Sequence, residues 1–513
     1  MGGKYHGSRG MMKIQKGSEF IMHHDKPNIL MIMADQLAFD VFGALGHTAV
    51  KTPNLDRLIA KGVVFNNCYC NSPLCTPSRA SFVTGTYIRN NEVFDNGAEL
   101  PASALTFMHH LRRAGYDTIL SGKMHFVGPD QLHGFNERLT TDIYPSGLDW
   151  TPDWSQGAYP NPGTGVRRLR HSGTCDWNVQ LTYDEEVLYR TLEKIRQLKA
   201  REEKKPFFLC ASFTHPHCPF VITPEFWDLY DNTDIPMPTT PAQAFAELDA
   251  YNQWIQTHHE CDICELTEDE IRNSRRAYYA MVSYFDHVAG QLIDELERTG
   301  QAENTVIVVT SDHGEMLGEH GMWFKRTYFD HAAKVPLIVS CPERFASGKT
   351  VSEVVSLVDL SATFMALGEV IDCDAWLNEM DGASLLGLLT GDASDWKDEA
   401  LCEYYGEGAV HSMAMLRRGR YKYVYVQEHP PLLFDLIADP AETVNLATNP
   451  QYADLCDTMR AAIQPDLMQQ MDKKVLDSQR QRLMLNESLA ATGRTNWGWD
   501  YQPFFDAARQ YIR

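Results

Sequence analysis

The sequence predicts an α/β protein: a large, mixed, mostly parallel sheet sandwiched by helices, followed by a smaller C-terminal antiparallel-sheet subdomain. Two observations carry this. Short apolar runs at Ile29–Ala34, Phe207–Phe213 and Thr305–Thr310 alternate with helix-length amphipathic segments, as strands buried on both faces require. From about residue 400 the pattern changes to short strands joined by turns, such as Ser412–Leu416 and Tyr421–Val426. A chain of 513 residues is long enough for one large domain and a smaller one. We expect a leader over 1–25, an α/β domain over 26–399 and the second unit over 400–513.

Taken in order, Lys26-Pro27-Asn28 leads into the first strand, which ends in Asp35-Gln36. Thr52 to Ala60 reads as a capped amphipathic helix. Pro77 marks a loop running into a helix start, because proline is tolerated in a first turn and not inside a helix. Leu105–Ala114 is a helix, and Thr118–Leu120 is a short strand ending in Ser121-Gly122-Lys123-Met124-His125. Residues 145–173, rich in Trp, Pro, Gly and Ser, form a long excursion over the sheet edge. A helix over Thr182–Ala200 precedes the strand Pro206–Phe213, which ends in Thr214-His215. Residues 231–266 read as irregular and acidic, and Glu268–Thr299 as a long helix. The strand Thr305–Thr310 ends in Ser311-Asp312-His313, and Val335–Ser340 is one more strand.

Composition excludes several function classes. A formal charge of −22 argues against nucleic acid or an acidic membrane surface as a partner. No apolar run is long enough to span a bilayer. Met1 to Asp25 has no apolar signal core, so the chain reads as cytoplasmic, with an unstructured or artificial leader and Met22 as a plausible natural start. The twelve cysteines lack disulfide-framework spacing and read as reduced, mostly core thiols. Cys261 and Cys264 form a lone C-x-x-C, a weak zinc signal without a second pair.

Four strand ends carry polar clusters: Asp35-Gln36, Lys123 with His125, His215, and Asp312-His313. In an open parallel sheet these ends lie along one edge, where ligands bind. Asp35, Gln36, Asp312 and His313 offer oxygens and an imidazole, a set that suits calcium or magnesium and also allows manganese. Lys123 and His125 stand at alternate positions and would share a face if the segment is extended. Cys75 and Arg79, at a helix start, would face an anion at the positive end of the helix dipole. A Cys and an Arg alone are equally compatible with a buried free thiol beside a helix cap.

The string Cys75-Thr76-Pro77-Ser78-Arg79, followed by Thr84-Gly85, is more specific. It resembles the signature of the sulfatase family, within the alkaline phosphatase superfamily. That resemblance implies an alkaline phosphatase-like fold and oxidation of Cys75 to formylglycine, whose hydrated form is the nucleophile. It also implies one divalent metal, Ca2+ first and Mg2+ or Mn2+ next, held by Asp35, Gln36, Cys75, Asp312 and His313. Gln36 stands where the family often has a second Asp. The resemblance places Arg79, Lys123, His125, His215 and Lys325 around the sulfate. Arg79 and Lys123 would hold non-bridging oxygens, and His215 and Lys325 the leaving oxygen. His125 would be the base that releases sulfate, and Asp312 would help ionise the nucleophile.

Leu111–Tyr116 and Ser121–Pro145 look most like the choline-sulfatase branch. The implied cation pocket comprises Asn96, Trp150 and Glu407, with His125 nearby. Two departures stand out: residues 155–180 do not follow that branch, and the chain is expected to stop at Tyr511-Ile512-Arg513, before the branch's extended tail. The expected partners are a small sulfate ester, a formylglycine-generating maturation enzyme and further copies of the chain in a homo-oligomer. The alternatives are a sulfated carbohydrate or another aryl or alkyl sulfate as substrate, a phosphonate monoester or phosphodiester hydrolase, and a non-catalytic anion-binding protein with Cys75 unoxidised.

Overall fold

The computed structural model describes residues 26–144, 146–370 and 379–491, so the expected leader over 1–25 and the chain end after Ala491 lie outside the described residues. β1 (Asn28–Ala34) is buried from Ile29 onward. Its alternate residues serve two cores. Ile29, Met31 and Met33 belong to one apolar cluster, and Leu30, Ile32 and Ala34 to the other, as the period of two demands.

The chain continues through α1 (Pro53–Lys61), β2 (Val63–Tyr69), α2 (Cys75–Thr84), α3 (Phe107–Arg113), β3 (Asp117–Gly122), α4 (Val179–Ala200) and β4 (Phe207–Ser212). Then follow α5 (Ala250–His258), α6 (Glu268–Arg298), β5 (Thr305–Ser311), β6 (Leu337–Ser340), β7 (Lys349–Ser356) and α7 (Val358–Leu367). The nine-stranded sheet runs β7-β2-β6-β5-β1-β4-β3 and ends on the two-residue strand Glu137–Arg138, with Lys334–Val335 paired to β2 off this path. β6 is antiparallel to β2 and β5, while the β1–β4, β1–β5, β3–β4 and β2–β7 pairs are parallel. Phe82, Phe107 and Phe364 of α2, α3 and α7 fill one face. Leu55, Leu181 and Phe285 of α1, α4 and α6 fill the other.

Three expectations need correction. The single strand over Val335–Ser340 is split at Pro336, which has no N–H to give to a ladder. The stretch 231–266 is not irregular throughout, because it contains α5, whose Asp249 accepts from Asn252 N–H as its cap. Thr52 does not cap α1; its hydroxyl turns to Asp56 Oδ1 at 3.0 Å.

The second sheet, β8 (Glu399–Tyr404), β9 (Met413–Arg418), β10 (Tyr421–Val426) and β11 (Leu432–Asp435), is an antiparallel meander. It is pinned to the larger unit by Lys422 of β10, whose buried ammonium donates to Asp330 Oδ1 at 2.6 Å and Glu442 Oε1 at 2.5 Å. α8 (Ala453–Ile463) and α9 (Pro465–Ala491) close the described chain. Among the described residues, no helix is long and apolar enough to cross a membrane.

Candidate active site

β5, β1, β4 and β3 are consecutive in the sheet, so their polar ends meet. α2 begins at Cys75 itself, after Leu74 in extended conformation. That places the thiol at the positive end of a helix, directed at the same edge. Cys75 Sγ lies 3.3 Å from His313 Nε2, 3.4 Å from Lys325 Nζ and 3.8 Å from Asp35 Oδ1. One donor atom each from Asp35, Cys75, Asp312 and His313 falls within 4.8 Å of the others, and all four residues are buried. Two carboxylates and an imidazole, together with the group at position 75, fit a divalent cation.

Cations surround this group. Lys123 Nζ pairs with Asp35. Arg79 Nε pairs with Asp312 Oδ2 at 2.8 Å, and its Nη1 donates to Lys123 O at 2.7 Å and Ser212 Oγ at 2.9 Å, leaving Nη2 without a protein partner. Burial alone would raise the Cys75 thiol, but Lys123, Lys325 and His313 outweigh it and hold it well below the usual thiol range. Asp312 likewise stays far below the usual carboxylate range, because Arg79 and His313 overcome its burial. Gln36 borders the four-donor group, its N–H donating to Asp312 Oδ1 at 3.1 Å. Its Oε1 accepts from Lys325 Nζ at 2.6 Å and its amide donates to Glu315.

The segment after β3 is not extended. Gly122 has φ 108° and His125 has φ 58°, so the expected shared face of Lys123 and His125 does not arise from alternation. Gly122 is required here, since a Cβ on it would stand 1.9 Å from Ser212 O. The turn is pinned by Asp142 Oδ2, which accepts from the N–H groups of Met124 at 3.0 Å and His125 at 2.7 Å. The His125 ring packs on Tyr144 and edge-on to Trp150, at 5.1 and 5.4 Å between centroids. Its ring approaches Cys75, and burial outweighs that contact and pushes its imidazole down.

His215 is not in the cavity wall. Its Nδ1 lies 2.7 Å from Asp184 Oδ2 of α4, and its ring packs on Tyr284 of α6 at 4.7 Å. The chain turns back at that point, with His217 N–H donating to Thr214 O at 2.9 Å, and His217 faces the site instead. His217 Nδ1 lies 2.9 Å from the Tyr144 hydroxyl. Burial and Lys325 oppose its charge, but Cys218 and Asp35 raise its pKa to about 9.

Cys75, Gln36 and Lys325 form part of the lining of a cavity of about 500 Å³, with Trp150, His217, Arg326 and Glu407 in its walls. Asn96 Oδ1 accepts from Thr76 N–H at 3.1 Å, and its Nδ2 donates to Glu407 Oε1 at 3.1 Å, tying the start of α2 to the pocket. Trp150 is 38 % exposed. Its loop is braced by α9: Arg482 donates to both oxygens of Asp95 and to Thr151 Oγ1, Gln479 accepts from Trp154 N–H, and Asn486 donates to Leu148 O. The sequence reading missed Asp184, His217, Arg326 and the Asp95–Arg482 pair. Cys261 and Cys264 belong to no candidate metal cluster among the described residues.

The sulfatase family profile matches residues 27–370, the profile of the N-sulphoglucosamine sulphohydrolase C-terminal region matches 318–470, and that of the choline sulfatase C-terminus matches 473–513. The last match corrects the expectation that the chain stops short of such a tail. A choline-sulfatase of Rhizobium meliloti is 40 % identical, over 95 % of this chain and 96 % of its own. An arylsulfatase of Clostridium perfringens is 28 % identical, over 86 % and 94 %. The crystal structure of a phosphonate monoester hydrolase of Agrobacterium radiobacter superposes with TM-score 0.66 at 26 % identity, over 87 % of this chain and 96 % of that one. The chain belongs to the sulfatase family, with the fold of the alkaline phosphatase superfamily.

Proposed function

We propose that this chain hydrolyses sulfate monoesters of small polar alcohols at Cys75, releasing the alcohol and inorganic sulfate. The observation that carries the reading is the thiol at the head of α2, within 3.8 Å of Asp35, His313 and Lys325. Conversion of Cys75 to formylglycine by a maturation enzyme would supply the nucleophilic oxygen, and a divalent cation held by Asp35, Gln36, Asp312, His313 and position 75 would supply Lewis acidity. Ca2+ is the first candidate, with Mg2+ and Mn2+ next.

The chain's own side chains supply the rest. Arg79, with Nη2 free of protein partners, and Lys123 hold the non-bridging sulfate oxygens, where charge builds. Lys325 and His217 face the leaving oxygen from the cavity side and stabilise or protonate it. His217 takes the role that the sequence assigned to His215, which is turned onto Asp184. His125, buried against position 75, takes up the proton whose removal frees sulfate.

Choline sulfate is the first ester to test, because the 40 % identical relative is a choline-sulfatase and Trp150 offers an exposed face beside Glu407. One observation favours a second reading of the alcohol: the guanidinium of Arg326 stands 3.9 Å from Glu407. The test of the reaction is release of sulfate from a panel of esters by matured protein, with phosphonate monoesters alongside. Faster turnover of phosphonates than of every sulfate ester would refute the sulfatase reading.

A further inference from the structure

Arg326 directly follows Lys325 and serves a different part of the cavity. Lys325 reaches inward to Cys75 and Gln36. Arg326 stands beside Glu407 in the outer wall. Its backbone is held in an unfavourable conformation for a side-chain-bearing residue, with φ 80°. Contacts on both sides impose it: its N–H donates to Pro73 O at 3.1 Å, and its carbonyl accepts from the Tyr251 hydroxyl at 2.6 Å. Strain of this kind persists where the surroundings over-determine it, often beside a ligand.

Arg326 is 4 % exposed, and its guanidinium is only partly satisfied. Nη1 lies 3.1 Å from His259 Nε2. An arginine can only donate, so His259 accepts there and carries its proton on Nδ1. Burial, reinforced by Arg326, keeps that imidazole neutral by holding it well below its usual range. Nη2 is 3.9 Å from Glu407 Oε1, too far for a hydrogen bond; the guanidinium donates to the Tyr404 hydroxyl, while Nε has no partner among the described residues. Glu407 is equally incomplete. Oε1 accepts from Asn96, while Oε2 is buried without a partner among the described residues. Two buried groups of opposite charge thus share one wall without satisfying each other, an arrangement that is costly unless something else bonds to them.

We propose that Arg326 sets the alcohol specificity: with Glu407 it forms a bipolar clamp for a polyhydroxylated alcohol, offering one hydroxyl an N–H donor and its neighbour a carboxylate acceptor, and it disfavours a quaternary ammonium. The proposal rests on the sulfatase reading above. A quaternary ammonium has no N–H to give Glu407 Oε2 and no lone pair for Arg326. It would also meet the guanidinium charge beside the carboxylate that attracts it, so the two fields largely cancel. Adjacent hydroxyls meet both demands, and the exposed face of Trp150 accepts the C–H face of a polyol as readily as a cation. A site built to bond a hydroxyl discriminates strongly against an analogue that lacks it, because its buried polar groups are then left unpaired.

The test compares kcat/KM of the matured, metal-loaded protein for choline sulfate, glycerol sulfate and a hexose 6-sulfate, with an aryl sulfate as common reference. The wild type should prefer the hydroxylated esters over choline sulfate by at least about tenfold. Arg326→Gln should move that ratio toward choline sulfate by about a hundredfold, because it removes the opposing charge and the donor fork together. Arg326→Lys keeps the charge and loses the fork, so it should lower turnover of the hydroxylated esters while leaving choline sulfate poor. A wild type that prefers choline sulfate, or a ratio unchanged in Arg326→Gln, overturns the proposal. If the variants fail to fold by circular dichroism, the wild-type ratio decides alone. A wild type with Cys75 converted that hydrolyses no sulfate ester at all refutes the underlying sulfatase reading, whereas turnover with a choline preference refutes only the clamp.

Discussion

Arg482→Met should raise KM far more than it lowers kcat. Arg482 of α9 donates to Asp95 Oδ1 at 2.5 Å and Oδ2 at 2.6 Å, and the Asp95 side chain is fully buried. Removing one partner of such a pair costs about 3–5 kcal/mol, because the other charge stays behind unpaired. The least costly relief is for α9 to leave the loop it braces through Thr151, Trp154 and Leu148. That loop carries Trp150. The side chains around Cys75 make no hydrogen bond to α9, so the chemical step should change little. If only about 1.4 kcal/mol of the loss falls on ordering the pocket, KM rises about tenfold, with kcat within about twofold. Steady-state kinetics with a sulfate ester and urea unfolding of the same samples measure both effects. Asp95→Asn combined with Arg482→Met should recover much of the loss, since removing both charges of a buried pair is far less costly than removing one. A destabilised single variant with unchanged KM would refute the role of α9 in ordering the pocket.

Lys325→Ala should slow esters of basic alcohols much more than activated aryl sulfates, because a donor at the leaving oxygen matters most when that oxygen is basic; equal losses across a leaving-group series would remove Lys325 from that role. Asp359, buried in the first turn of α7, is pushed up to about 7 by burial, against hydrogen bonds from the N–H groups of Ala383 and Ser356. Its folded value lies above its unfolded one, so its contribution to stability is complete below about pH 4 and is lost as pH rises through 7, on the order of 4 kcal/mol in all. Asp359→Asn should flatten the stability profile over that window in denaturant melts, and an unchanged slope would show that Asp359 ionises normally.

The parts of the fold legible in the sequence are those buried on both faces. β1, β4 and β5 are continuous apolar runs, and their short length with polar residues at the end points to buried strands. β2 and β7 gave no such signal. β2 carries Asn66 and Asn67 in its middle, and β7, at the sheet edge, mixes Lys349, Ser352 and Glu353 among its valines. Most of the inner site was legible because Asp35, Lys123, Asp312 and His313 follow strands and Cys75 heads a helix. His217 was not, because His215 and His217 flank the same strand end and only the reversal of the chain after Thr214 separates them. Arg326 was hidden for a different reason: its meaning depends on Glu407, Asn96 and His259, brought together from distant parts of the chain.

The central claim is that position 75, converted to an aldehyde, carries the reaction. The most direct measurement is turnover per chain against the fraction of Cys75 converted, read from the mass of the peptide that contains it, in samples expressed with graded amounts of a maturation enzyme. Turnover should rise in a straight line through the origin, with Cys75→Ala at zero and correctly folded. Turnover by chains whose Cys75 remains a thiol, or a Cys75→Ala protein with near wild-type activity, would contradict it.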